Sequence, residues 1–417
     1  MTKLQSRGQA TKVAVTKLAV LFSLTYMVSY ITRINYGAII AEMEGSLAIS
    51  KSLLSMAVTG SFIFYGAGQI ISGICGDRFS PKKLVTLGLA VSVCMNLLIP
   101  VCRDPYQMLA VWCINGFAQA FLWPPLVKLM TLLLTEEDYK KTSVKVSWGS
   151  SFGTIVVYLL SPLIISAFGW KWVFVFSALC GFAMIFVWNL FVPEPKSLPN
   201  VGDLPDPAPA TARRSAWRYR TLFTPLMLGV MLAIVFQGML RDGVTTWMPS
   251  YISETYRLST GVSILTGVLL PIFSILCFQL ASLTYRKKFN NPMLCAGLIF
   301  GAGTLSAIAL FLLTGQGAVW SVLFSAMLTG CMHGVNLILI CMIPPFFGKQ
   351  GNVSTVSGVL NSCTYIGSAV STYGIALLSE HFDWKYTLLA WLLIAAAGTA
   401  LCLLTVKPWK RRFQEEE

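Results

Sequence analysis

The stretch LAVLFSLTYMVSYITRINYG, residues 18–37, decides the fold. From Leu18 to Thr32 it carries no charge; then comes Arg33, and the next acidic residue is Glu42. A bilayer core of roughly 30 Å needs about 20 apolar residues in a helix. Backbone in hydrocarbon must satisfy its own hydrogen bonds, so a spanning segment is a helix or part of a closed barrel. This run is continuously apolar rather than alternating, which selects the helix. It is too long for a signal peptide and lacks a small-residue cleavage site, so it reads as a retained span.

The rest of the chain repeats the pattern. The 417 residues are 55% hydrophobic and 12% charged, with a mean hydropathy of +0.69, whereas soluble domains carry about 25% charged residues. Twelve spanning segments are expected: 17–41, 53–75, 83–101, 106–134, 147–168, 172–192, 225–251, 261–284, 292–314, 319–347, 353–378 and 386–406.

The net charge of +14 is explained by topology. With the N-terminus inside, 23 of the 31 Lys and Arg fall on the cytoplasmic side: Lys3, Arg7, Lys12 and Lys17, then "DRFSPKK", "KKTSVK", Lys196, "RRSAWRYR", "RKK", Lys349, Lys407, Lys410, Arg411 and Arg412. Only Lys51, Arg103, Lys171, Arg257 and Lys385 fall outside. This is the positive-inside bias. It places both termini in the cytoplasm and argues against nucleic acid as a partner; the expected location is a bacterial-type cytoplasmic membrane. The eleven cysteines are scattered singly, with no CxxC or Cys/His cluster, so no metal or cofactor is expected.

Three parts are expected: an N-terminal six-helix bundle at 1–192, a cytoplasmic linker at 193–222 rich in proline, and a C-terminal six-helix bundle at 223–417. The halves echo each other. Arg33 and Arg241 sit at similar depths in the first and seventh segments. The fourth and tenth each carry a Pro-Pro pair, Pro124-Pro125 and Pro344-Pro345. Paired halves with matching irregular helices are a feature of secondary transporters. No GxxxxGK[ST] loop is present to use a nucleotide.

Five ionisable side chains fall inside the expected spans: Arg33, Lys128, Arg241, Asp242 and His333. Such residues are expensive in a bilayer and mark functional sites. Arginine offers a planar fork that matches phosphate or carboxylate. The alternative is an arginine satisfied by carbonyls or by Asp242. Adjacent helical residues point about 100° apart, which argues against that pair. Lys128 is read either as snorkelling to the interface or as a cytoplasmic gate contact. His333 is read either as titrating near neutral pH or as bonding between helices. No nucleophile or acid pair suggests an enzyme.

At these residues the sequence resembles a known family. "YITRINY" (Tyr30, Arg33, Asn35, Tyr36) is similar to the first-helix pattern of the organophosphate:phosphate antiporters, a branch of the major facilitator superfamily that includes the glycerol-3-phosphate and hexose-6-phosphate transporters. "YGAGQIISGICGDRFSPKK" resembles the second helix and the following loop, through Tyr65, Gly73, Gly76, Asp77 and Arg78. "NGFAQAFLWPP" resembles the fourth helix, through Asn115, Gly116, Gln119, Trp123, Pro124 and Pro125, and "RDGVTTWMPSY" the seventh, through Arg241, Gly243, Trp247, Pro249 and Tyr251. Two positions depart from the glycerol-phosphate branch: Gln69 stands where it carries a lysine, and Gly149 where it carries a histidine.

The resemblance implies an all-α facilitator with two pseudo-symmetric six-helix bundles, acting as a monomer on a small anion in the lipid bilayer. It implies exchange of an organic phosphate for inorganic phosphate by alternating access. Arg33 and Arg241 would clamp the phosphoryl group, with Tyr30, Asn35, Tyr65, Gln69 and Gln119 as further binding residues. Asp77 and Arg78 would hold the cytoplasmic end closed. A cation-coupled symporter of an organic anion, using Asp242 or His333, and a sugar-phosphate sensor of the same fold are the alternatives.

Overall fold

The computed structural model describes residues 2–49, 51–194, 224–258, 269–350 and 352–413. Among them are fourteen α-helices and no strand: α1 (Thr2–Ala38), α2 (Ile40–Leu47), α3 (Lys51–Arg78), α4 (Pro81–Leu98), α5 (Pro105–Gln119), α6 (Trp123–Leu133), α7 (Glu136–Phe168), α8 (Lys171–Phe191), α9 (Pro225–Tyr256), α10 (Leu269–Lys287), α11 (Pro292–Leu313), α12 (Ala318–Asn336), α13 (Val353–His381) and α14 (Trp384–Phe413). Eleven stretches of these helices are long and apolar enough to cross a membrane. The remaining expected span is α13, which is long but interleaves Ser and Thr with its apolar residues.

The helices begin where the local chemistry allows. Ser80, Asp104, Thr135, Thr224 and Asn291 cap α4, α5, α7, α9 and α11 through side-chain oxygens that accept backbone N–H groups. In all of these but α7 a proline follows within the first two positions, where its missing N–H costs nothing. The fourth expected segment is interrupted. α5 ends at Gln119, two tight turns follow (Phe121 N–H to Ala118 O at 3.0 Å, Leu122 N–H to Gln119 O at 3.2 Å), and α6 restarts with Pro124 and Pro125 in its first turn. Prolines there cannot donate to the preceding turn. The tenth segment breaks similarly: α12 widens into a π-type turn at Leu337–Cys341, and a 3₁₀ turn covers Pro344–Gln350.

The chain divides into two compact units, Met1–Pro209 with Gly351–Gly358, and Ala210–Gln350 with Val359–Glu417. Of the expected linker, residues 195–222 lie outside the described residues. In the first unit α1 packs on α7, α3 on α5, and α4 on α8. In the second, α10 packs on α12 and α11 on α14, while α9 meets α13 where Gly238 faces the Thr364 carbonyl and Gly367 faces that of Val235. Counted as spans, the pairings 1·5, 2·4 and 3·6 recur as 7·11, 8·10 and 9·12. The repeat read from the arginines and proline pairs is therefore also a repeat of packing. Small residues permit this closeness, as is usual between helices in lipid. Gly149 lies against the Ser23 carbonyl, so the histidine of the glycerol-phosphate branch has no room at this position.

Large apolar side chains such as Leu163, Phe182, Phe186 and Leu190 are more than half exposed, as expected of faces that meet lipid rather than water.

Candidate functional site

In the first unit Arg33 is 8% exposed, well inside α1. Its guanidinium carbon lies 4.3 Å from the ring centre of Tyr30 and 4.6 Å from that of Tyr65 on α3. Aromatic faces attract a cation at this range. Tyr30 meets Tyr26 edge-on at 5.2 Å, and Tyr26 meets Trp123 at 4.9 Å. The expected trio Tyr30, Arg33 and Tyr65 is thus brought together, with Tyr26 and Trp123 behind it.

Asn35 and Gln119 lie in a buried polar network around the neighbouring residue Thr32. Asn35 donates to Asn96 Oδ1 (2.7 Å) and Ser177 Oγ (2.9 Å). Asn96 donates to the Thr32 carbonyl (2.9 Å), which also accepts from Asn115 (3.1 Å). Gln119 donates to Thr32 Oγ1 (2.8 Å) and Ser92 Oγ (2.7 Å), and Ser92 donates to Asn115 Oδ1 (2.7 Å). Four helices, α1, α4, α5 and α8, are tied around Thr32, the residue preceding Arg33. The network fixes the backbone that carries the guanidinium. Thr32, Ser92, Asn96 and Ser177 were not singled out from the sequence. Their signal was the presence of several amides in apolar segments, where each needs a partner.

Asn96→Ala deletes two interhelical bonds of this network, together on the order of 1–3 kcal/mol. The expected outcome is a lower thermal unfolding midpoint in detergent and weaker anion binding through a displaced Arg33. An unchanged midpoint would show that the network does not hold α1.

Gln69 is fully buried, and its amide donates to the Ala120 carbonyl at 3.5 Å. Asp77 accepts three hydrogen bonds: from Lys128 Nζ (3.1 Å), from Ser354 N–H (3.0 Å) and from Thr355 N–H (2.7 Å). The last two belong to the first turn of α13, whose N–H groups have no partner within the helix and favour an anion. Side chains of Lys128 and Asp77 are 15% and 9% exposed. Lys128 therefore pairs with Asp77. Arg78 is exposed.

In the second unit the expectation for Asp242 is corrected. Arg241 Nε donates to Asp242 Oδ1 (2.7 Å) and a terminal guanidinium nitrogen, Nη2, donates to Oδ2 (2.8 Å). The 100° between neighbouring helical residues separates Cβ directions only; the long arginine chain curls back across it. Ser368 Oγ on α13 also donates to Asp242 Oδ2. The Arg241 guanidinium lies 5.9 Å from the Tyr365 ring centre. His333 on α12 packs edge-on against Phe278 at 5.5 Å. Nearby, Gln237 donates to the Met332 carbonyl (3.1 Å) and accepts from Asn336 (3.5 Å). Tyr365 and Ser368 were missed by sequence reading, because nothing local marks them as neighbours of residue 241.

Two units of apolar helices with the same pairing, each carrying a largely buried arginine, define a multi-pass membrane protein of the transporter type. The chain belongs to the Major Facilitator Superfamily, whose model matches residues 22–372. It is 25% identical to the "Membrane sensor protein UhpC" of Salmonella typhimurium, over 91% of this chain and 89% of that one. It is 23% identical to a "Probable hexose phosphate transport protein" of Chlamydia trachomatis serovar D, over 91% of this chain and 88% of the other. Among solved structures, the proton:xylose symporter XylE matches with a TM-score of 0.76 at 14% identity, covering 95% and 96% of the two chains. That likeness concerns the fold.

Proposed function

We propose that the protein moves an organic phosphate, of the sugar-phosphate or glycerol-phosphate type, in exchange for inorganic phosphate, by alternating access in a bacterial cytoplasmic membrane with both termini inside. The observation that carries this reading is Arg33. An arginine within an apolar spanning helix, flanked by Tyr30 and Tyr65 with a polar network beside it, is of the kind that marks a substrate site in a membrane protein. Its planar fork suits a phosphoryl group. The match to a hexose phosphate transport protein over most of both chains points the same way.

In this reading Arg33 and Arg241 bind the phosphoryl oxygens, Tyr30 and Tyr65 orient the first guanidinium, and Asn35 and Gln119 position its helix. Gln69 belongs to the binding residues through its amide, which donates as readily to a sugar hydroxyl as to a phosphate oxygen. Asp77, Lys128 and Arg78 control the cytoplasmic end, and Asp242 and His333 tune Arg241. A ligand shifts a conformational equilibrium only through differential affinity. Exchange follows if the anion stabilises the crossing state over the empty one.

A second reading, favoured by the membrane sensor protein among the relatives, is that this chain binds a sugar phosphate without moving it. Exchange of labelled inorganic phosphate against an external phosphate ester separates the two. Purified protein in vesicles loaded with labelled phosphate is diluted into buffer with and without unlabelled hexose phosphate. Release that depends on the outside ester supports exchange. Ester binding in detergent with no release in vesicles overturns it in favour of the sensor.

A further inference from the structure

The second unit presents its arginine already engaged by a carboxylate. Asp242 takes the Nε–Nη2 edge of Arg241 at 2.7 and 2.8 Å, and Ser368 Oγ fixes the same carboxylate from α13. The Arg241 and Asp242 side chains are 12% and 32% exposed. Among the described residues, the groups facing this pair include Tyr365 and Ser368 from α13 and His333 from α12.

Two carboxylate oxygens on one guanidinium edge reproduce the geometry that a phosphoryl group would adopt there. An anion that engages Arg241 must either displace Asp242 or approach the remaining edge, Nη1 and Nη2. In either case it stays within a guanidinium's width of a negative charge. The first charge on that anion gains from Arg241; a second is repelled by Asp242. We infer that Asp242 is a specificity-determining positioning residue, which sets the substrate to a singly charged phosphoryl group: a phosphodiester, or a monoester carrying one proton. At an effective dielectric near 20, one charge more or less at such a distance changes affinity by roughly tenfold to a hundredfold. This inference rests on the phosphate reading of the site.

The test is competition against labelled-phosphate exchange in vesicles of the full chain at pH 7.5. The competitors are glycerol 3-phosphate, mostly doubly charged there because its second pKa is near 6, and its methyl diester, singly charged. The parent protein is expected to be inhibited by the diester at about tenfold lower concentration than by the monoester. The monoester is expected to gain on lowering the pH to 6 while the diester does not change. Asp242→Asn is expected to narrow or reverse the preference. Asp242→Glu, which restores the charge, is expected to retain it, an outcome that a purely structural role would not give. Exchange that proceeds with the doubly charged ester preferred by the parent overturns the inference and leaves the phosphate reading intact. Equal ratios for parent and Asp242→Asn overturn it likewise. If Asp242→Asn does not assemble, the parent's own ratio decides. If neither ester competes in the parent, both readings fall.

Discussion

Arg33→Lys is expected to lower phosphate-ester exchange by roughly a hundredfold with the protein still folded in the membrane, because lysine keeps the charge but loses the bidentate fork. The position makes the test demanding. Arg33 is 8% exposed and its guanidinium lies over Tyr30 and Tyr65 at 4.3 and 4.6 Å. An ammonium also attracts an aromatic face, so the aromatic contacts and the charge are largely kept. What changes is the number and direction of donors offered to an anion. The comparison is made at equal expression, with thermal unfolding as the folding control. Arg241→Lys should fall in the same way, through loss of the planar fork that now meets Asp242. Exchange near the parent rate in Arg33→Lys would show that the guanidinium does not hold the substrate.

Asp77→Asn is the second change expected to have a large effect. The carboxylate accepts from Lys128 and from two N–H groups of the first turn of α13. Charge-assisted bonds of this kind are roughly twice as strong as neutral ones. The amide keeps one oxygen acceptor and presents N–H donors to groups that are themselves donors. It also leaves Lys128, 15% exposed, without this counter-charge. Breaking one side of a buried ion pair costs about 3–5 kcal/mol, whereas replacing both partners costs far less. The expected result is a marked fall in thermal stability and transport for Asp77→Asn, and partial recovery of stability in Asp77→Asn with Lys128→Met. A double variant no more stable than Asp77→Asn would show that the pair is not coupled.

Much of this architecture is legible in the chain. The apolar run before Arg33, the interrupting Pro124-Pro125 and the Ser, Asp, Thr and Asn caps are local signals, and helices form where they direct. Arg33 stood out because a charge in hydrocarbon is rare. Tyr65 was found through resemblance to a family, since no local rule places it beside residue 33. Partners distant in sequence stayed invisible. Asn96 bonds Asn35 across 61 residues, Ser177 across 142, and Ser354 reaches Asp77 across 277. The Arg241–Asp242 pair was misread for a different reason. Backbone geometry gives the direction in which a side chain starts, and a long side chain need not end there.

The most direct measurement of the central claim is uptake of a labelled phosphate ester into vesicles containing the purified protein, loaded either with inorganic phosphate or with chloride at equal ionic strength, with no proton gradient. Exchange by way of the arginines predicts rapid uptake into phosphate-loaded vesicles and little into chloride-loaded ones. Equal uptake into both, rising with an imposed proton gradient, would contradict it and assign the chain to cation-coupled transport.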